Sequence, residues 1–467
     1  MNRRGFTALL LLGLLSGSTG RADFPAAFKE YQDGHFEAAR AQFLTLAGLG
    51  DAASQFNLGA MAMQGQGVPK DLATAVGWLE AASENGSRRL APEKLADLRS
   101  QLTDEQRKVA DEILRRYGRA GLQETALPIP SVNAHCPDVV PPKLSHAPIA
   151  SSEYYPTSGR WRDQNGFVIL QFTIGVDGVP HDPEVLMSVP TTDFSASAVD
   201  VWMTARWTPA THSGAAVEYA LTVKAQFFLT GAGGVLWDVP ALKAIRETAL
   251  TGDPTAQYQI GLAATLDPSL GIPASQAYAL LVSAAQGGQP RAQYWAANRF
   301  MSLGGCGTQQ KKDPWLHAAA LAGDGAAQLA LARDLIHGQP SAEQLAEARA
   351  LLEQAAQSPD FYVQKHVAAL MAASPLEALH DPTTAKVVAE KLLKTPVESD
   401  PQAYEAAAAA YAANRDFWEA AAKEQTAIKK AVLLKWNTAL MQERYSLYHR
   451  SKTWTGDLFA LPAAAPH

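Results

Sequence analysis

Shifted by 202 positions, the stretch Asp51 to Gly86 (DAASQFNLGAMAMQGQGVPKDLATAVGWLEAASENG) lies on Asp253 to Gly288 (DPTAQYQIGLAATLDPSLGIPASQAYALLVSAAQGG) without a gap. Gln55 meets Gln257, Gly59 meets Gly261, Ala75 meets Ala277, Leu79 meets Leu281 and Gly86 meets Gly288. The phase continues: Ala-Gln followed by an apolar residue recurs at Gln257, Gln293 and Gln328, at intervals of 36 and 35. Trp78-Leu79 returns as Leu280-Leu281, Trp315-Leu316 and Leu351-Leu352. A period of this length is that of a solenoid built from helix pairs, each of which buries its apolar face only against its neighbours. Small residues at Gly59, Gly261 and Ala297 let paired helices approach closely, and Trp78 or Leu281 fills the space between pairs. Gly86, Gly288 and Gly323 end the second helix, as glycine does just past a C-cap.

Phe24 to Gly50 reads as a further helix pair, broken at Asp33-Gly34, with Phe28, Tyr31, Phe36, Ala39 and Phe43 at helical spacing. Asp97 to Tyr117 is a charged helical stretch containing a capping box at Thr103 to Gln106. Residues 400–432 are helical again, with Tyr404, Ala408, Tyr411 and Phe417 on the packing side.

These motifs resemble the Sel-like repeat, a relative of the tetratricopeptide repeat. The first copy carries Leu58-Gly59, Gly65-x-Gly67-Val68, Asp71, Ala75, Trp78-Leu79, Ala81-Ala82 and Gly86. Later copies lose the Gly-x-Gly loop, and 400–432 is more similar to a tetratricopeptide repeat. The resemblance implies protein–protein scaffolding.

Between the repeats the pattern changes. Gly121 to Ser151 is a linker carrying Pro128, Pro130, Pro137, Pro141, Pro142 and Pro148. A strand follows at Phe167 to Ile174, with Val168, Leu170, Phe172 and Ile174 on one face and Gln171 and Thr173 on the other. Asp177-Gly178 supplies a turn. A second strand runs from about Glu184 to Ser188. Thr191, Thr192 or Asp193 caps a helix through Arg206, whose Phe194, Ala198, Val201, Trp202 and Ala205 lie over the apolar face. Trp207-Thr208-Pro209-Ala210 ends it. Val217 to Phe228 then alternates as one long strand.

Tyr155-Pro156, Gly166-x-Val168-x-Leu170-x-Phe172-x-Ile174, Asp177-Gly178-Val179, Val185-Leu186, Arg206-Trp207-x-Pro209-Ala210 and the closing strand resemble the TonB C-terminal domain. In that family the domain binds a segment of an outer-membrane transporter by adding it as a strand to the sheet edge. The resemblance places a backbone binding edge at Val217, Tyr219, Leu221, Val223, Ala225 and Phe227. A long closing strand with free N–H and C=O groups invites such pairing on physical grounds as well. The chain departs from energy-transducing TonB proteins in its beginning, which has no His-bearing membrane helix, and in the repeat block that stands where they have a long Pro-rich spacer.

Arg3 and Arg4, the apolar run Phe6 to Leu15 and the small residues before Asp23 form a signal peptide with cleavage near Ala22. The apolar run falls well short of the roughly 20 residues that span a bilayer. Cys136 and Cys306 either pair in an oxidising compartment or stay separate thiols, since a bridge depends on a distance that sequence does not contain.

Net charge of -6 without a basic stripe excludes phosphate-driven nucleic-acid binding. HExxH, GxSxG and GxxxxGK[ST] are missing, and Gly231-Ala232-Gly233-Gly234 lacks the third glycine of a dinucleotide fingerprint. His135 beside Cys136, and His181-Asp182, read as residues of a solvated linker and turn. Asn85-Gly86-Ser87 fits a glycosylation acceptor but coincides with the repeat's own C-cap.

The expected fold is α+β and multidomain, mostly α: an α-solenoid of helix–turn–helix repeats with a small β-β-α-β module inserted. Its parts are a signal peptide (1–22), N-terminal repeats (23–118), a linker (119–148), the module (149–236), C-terminal repeats (237–445) and a tail (446–467). The expected function is non-catalytic binding of envelope proteins, such as an outer-membrane transporter segment, in the periplasm, with no cofactor or metal and only indirect membrane contact. The alternatives are a membrane-anchored TonB-type energy transducer and an envelope hydrolase with an unrecognised site.

Overall fold

The computed structural model describes residues 24–459 except 88, 126–137, 149–154, 157–164, 191, 229–238, 302–308 and 396–398. The repeats are helix pairs. Before the module they are Phe24–Gln32 with Phe36–Ala47 and Ala52–Gln64 with Leu72–Glu84. After it come Pro254–Leu266 with Ala274–Gln286, Pro290–Met301 with Gln309–Leu321, and Gly325–Ile336 with Ala342–Ala355. Phe361–Ala373 with Pro382–Leu392 and Pro401–Ala413 with Phe417–Leu433 complete the series. The sequence phase is mechanical in origin. Asp51, Asp253, Asp324, Asp360 and Asp400 each accept a backbone N–H at the start of the first helix of a pair. Gly86, Gly288 and Gly323 follow the second helix with φ of 106°, 80° and 89°.

The repeated glycines within helices mark true close approach. A Cβ at Gly59 would lie 2.7 Å from Leu79 Cγ and 3.1 Å from the Ala75 carbonyl oxygen. At Gly261 the same two neighbours recur, Leu281 Cγ at 2.8 Å and the Ala277 carbonyl at 2.9 Å. Gly59→Ala is therefore an overpacking change with an expected loss of about 1–3 kcal/mol, measured as a shift of the urea midpoint at constant m-value.

The recurring glutamine has a structural role. Gln55, Gln293 and Gln328 donate from Nε2 to the carbonyls of Ala47, Ala285 and Ala320, at 3.0, 3.2 and 3.1 Å. Each of these carbonyls belongs to the end of the preceding helix, so the side chain satisfies a buried acceptor that the helix itself leaves open. Asn85 is fully buried and donates to Gln55 Oε1 and the Tyr117 carbonyl, both at 2.9 Å. Burial excludes the glycosylation reading. The charged stretch before the linker is two helices, Pro92–Ser100 and Asp104–Tyr117, separated where Thr103 forms the expected capping box with Gln106.

The two repeat blocks clasp each other across the inserted module. A Cβ at Gly86 would lie 2.7 Å from Pro254 Cγ, and one at Gly288 would lie 3.0 Å from Asp51 Cα. The end of each repeat thus touches the start of the other, a reciprocal contact that only bare backbone permits. Arg119 adds a bond to Ser283 Oγ at 3.3 Å.

The module comprises β1 (Val139–Val140), β2 (Lys143–His146), β3 (Gly166–Ile174), β4 (Pro180–Val189), the helix Asp193–Met203, β5 (Arg206–Thr208), β6 (Ala210–His212), β7 (Ala215–Val217) and β8 (Tyr219–Phe227). The main sheet is antiparallel in the order β4-β3-β8, with register from Gly166↔Phe227 to Ile174↔Tyr219. Four expectations change here. The linker's last residues are strands of the module, β1 pairing with β6 and β2 with β5, on either side of Pro141-Pro142. The helix stops at Met203 instead of Arg206, and the Arg206 guanidinium folds back to donate to the carbonyls of Met203, Thr204 and Ala205 that the helix end leaves open. Thr192 precedes that helix without a side-chain cap bond. The long closing strand is broken at Glu218: Ser213 and Gly214 turn with φ of 50° and 85°, and Val217 pairs with Ala210 in a separate hairpin.

Both faces of β3 are covered. Val168, Leu170, Phe172 and Ile174 pack with Phe194, Ala198, Val199 and Met203 of the module's helix. Phe167 and Ile169, with Met187 and Val189 of β4, enter the continuous core of the C-terminal repeats. The residues expected as a tail also join this core. After the helix Ala439–His449 the chain folds back, Gly456 N–H donates to the Ala373 carbonyl at 2.8 Å, and Leu458 is buried.

Candidate partner-binding interface

The predicted binding residues divide between two sheets. Tyr219, Leu221, Val223, Ala225 and Phe227 lie on β8, while Val217 belongs to β7. Among the described residues no strand pairs with the outer side of β8. That edge is not uniform. Trp202 Nε1 donates to the Lys224 carbonyl at 3.1 Å, occupying one backbone acceptor. Lys224 Nζ and Gln226 Nε2 both reach Asp267 Oδ2, at 2.6 and 2.9 Å, tying the second half of β8 to the repeats. Val223, Ala225 and Phe227 are buried, with Phe227 against Phe194 at 5.4 Å and Tyr155 at 6.2 Å between ring centroids. Tyr219 to Thr222 carries the more accessible side chains, and Ala220 is exposed.

The opposite edge strand, β4, is locked to the repeats by buried charge. Asp182 stands at φ 54° and directs its carboxylate at Lys365 Nζ (2.9 Å) and His366 Nε2 (2.7 Å). Lys365 also bonds Asp400 Oδ2 at 2.8 Å and Gln402 Oε1 at 3.3 Å. Burial pulls the Lys365 ammonium down, but Asp182 and Asp400 overcome it and hold the pKa above its ordinary value. Burial and the neighbouring Arg333 push His366 down to about 4, so the neutral ring donates to Asp182 and accepts from Arg333 at Nδ1. One strand turn away, Glu184 meets Arg291 at 2.6 Å, and the same guanidinium reaches Asp324 at 3.2 Å and Asp360 at 2.8 Å. Three carboxylates share one cation. Burial pushes Glu184 up to about 8 against the pull of Arg291, with Asp360 and Asp324 adding to the rise.

His181 and Asp182 are thus interior residues of a strand, not members of a solvated turn. They are shielded because the second face of the sheet is covered by the repeats. The signal of that cover was present in the unbroken apolar run Phe167 to Leu170, which is the pattern of a strand buried on both sides. Cys136, Cys306 and His135 lie outside the described residues, as do residues 1–22 and the loop Gly231 to Gly234. Within the described residues no helix is long and apolar enough to cross a membrane.

Helix pairs in series and a three-stranded antiparallel sheet with a helix on one face define a class: a helical-repeat protein carrying an inserted α+β module. Residues 151–229 match the family described as the Gram-negative bacterial TonB protein C-terminal, so the module is a TonB C-terminal domain set within helical repeats. The chain is also similar to the crystal structure of c5321, described as a protective antigen present in uropathogenic Escherichia coli strains displaying an SLR fold. Identity is 15%, coverage 91% of this chain and 83% of that one, and the TM-score 0.33. No curated protein matches the chain.

Proposed function

We propose that this chain is an exported, non-catalytic envelope protein that binds an extended segment of a partner by strand addition to β8, with the helical repeats holding the module in place and offering a second contact surface. The observation that carries this reading is the unpaired outer side of β8 in a domain of the TonB C-terminal family. An incoming strand pairs through backbone groups, so the buried side chains of Val223, Ala225 and Phe227 do not oppose it. Tyr219 to Thr222 is the entry point, because Trp202 already occupies the Lys224 carbonyl. An outer-membrane transporter segment is the partner class the family suggests. The leader, read as cleaved near Ala22, supports a periplasmic location.

Photoreactive amino acids placed singly at Ala220 and Thr222 test the reading in intact cells. These positions share a face of the strand two residues apart. Strand addition predicts that both capture one envelope protein, at residues two apart in a single extended segment. Capture at scattered sites, or at neither position, would sink the proposal.

A further inference from the structure

A cavity of about 50 Å³ lies where the sheet meets the last helices, away from the β8 edge. His181 of β4 lines it together with Gln402, Glu405, Trp436 and Arg444 of the repeats, and the exposed Asp177 and Asn437 stand at its mouth. Three of these lining side chains carry buried polar atoms without a hydrogen-bond partner: His181 at Nδ1 and Nε2, Trp436 at Nε1 and Arg444 at Nη1. Their residues are 5%, 8% and 1% exposed. The nearest carboxylate to His181, Asp177 Oδ1, is at 3.8 Å, beyond hydrogen-bond reach. The imidazole lies against the Trp436 indole with centroids 4.2 Å apart. A buried donor left unpaired costs about 1–3 kcal/mol, so three such residues around one space call for a common counterpart.

The charges around the cavity select the kind of counterpart. The Arg444 guanidinium is engaged by Glu405 at Nη2 and by Glu424 at Nε, 3.1 Å away. Burial pushes the Glu424 carboxyl well up, toward its neutral form. Arg444 is thus already met by two carboxyl groups, and Asp177 adds negative charge at the mouth. An anion would bring a further desolvated charge with no free cation to meet it. The unpartnered atoms ask instead for a neutral group with both functions, because indole and guanidinium N–H only donate while imidazole donates at one nitrogen and accepts at the other. A carboxamide supplies an acceptor oxygen and a donor NH₂ in one plane. At roughly 10–15 Å³ for each water-sized position, the space takes about four heavy atoms, the number in acetamide.

We propose that this cavity binds a neutral carboxamide, presented by a free small amide or by an Asn or Gln side chain of a partner. Walls from both the TonB-type sheet and the terminal helices make it a site at the joint between the two parts. The site is separate from the strand edge, and neither reading depends on the other.

The test is a titration of the full chain labelled with ¹⁵N at tryptophan, with the Trp436 indole resonance assigned through Trp436→Phe. Acetamide is expected to shift that resonance saturably in the millimolar range, acetate to leave it in place, and His181→Phe to weaken acetamide binding about tenfold or more. A short blocked peptide with a central Gln separates the sources: binding tighter than acetamide assigns the site to a partner's side chain, and binding of acetamide alone assigns it to a free amide. Calorimetry on Trp436→Phe, which keeps an aromatic ring against His181 but removes the indole N–H together with its five-membered ring, gives a second reading of the loss should His181→Phe fail to fold. No shift with acetamide up to about 100 mM, or acetate binding as tightly as acetamide, overturns the proposal.

Discussion

Lys365→Met is expected to lower the unfolding free energy by about 3–5 kcal/mol, the cost of leaving buried carboxylates without their cation. Lys365 is fully buried, and its Nζ joins Asp182 of the module to Asp400 at the start of the helix Pro401–Ala413. Methionine preserves most of the volume, so the loss reports charge and not packing. Urea melts of Lys365→Met, of Asp182→Asn and of the double variant form a cycle, and a coupling above about 1 kcal/mol is expected between two residues in direct contact. A change near zero for Lys365→Met would mean that water reaches the cluster and that the sheet is not locked to the repeats.

Phe167→Ala is expected to cost about 3–5 kcal/mol, within the range for truncating a buried aromatic. The residue is fully buried, and its ring belongs to the repeat core while its neighbour Val168 belongs to the module's own core. The loss should therefore appear in one shared transition, followed equally by far-ultraviolet circular dichroism of the helices and by the assigned ¹⁹F resonances of Trp202 and Trp207 of the module in chain labelled with 5-fluorotryptophan. Two separated transitions, with only the ¹⁹F one shifted, would show the sheet to be an independent unit. The same geometry makes removal of residues 149–236 an unsuitable probe of the module. It would strip Phe167, Ile169, Met187 and Val189 from the repeat core and leave Lys365 and Arg291 without their partners on β4.

The repeat phase was legible in the sequence because its causes are local. Gly59 and Gly261 sit at the same close contact, Asp51 and Asp253 cap the same helix, and each such position writes a residue type into every copy that keeps the contact. The TonB-like order of strands and helix was legible for the same reason. What the sequence did not disclose was contact between distant parts. The covered outer face of β3, the docking of Leu458 and the burial of His181 all depend on where the repeats run in space. The break at Glu218 is an intermediate case. Ser213-Gly214 is a turn signal that the regular alternation of Val217 to Phe228 overshadowed. The alternation of Val217 to Phe228 makes most of β8 legible as a strand, while the contact of the Trp202 indole with the Lys224 carbonyl is not legible in the helical spacing that places Trp202 in a packing stripe.

The clasp at Gly86 and Gly288 also sets an order of assembly. The backbone surface around Asp51 and Gly86 is covered by Pro254 and Gly288, which are synthesised only after the whole sheet module. Until they arrive, the first block has helices but an open end, and the closing contact is among the most distant in sequence that the chain makes. Such contacts form late and slowly, because the chain between them must be brought together first. A chain whose first half waits for its second is poorly suited to completing its fold while still being made.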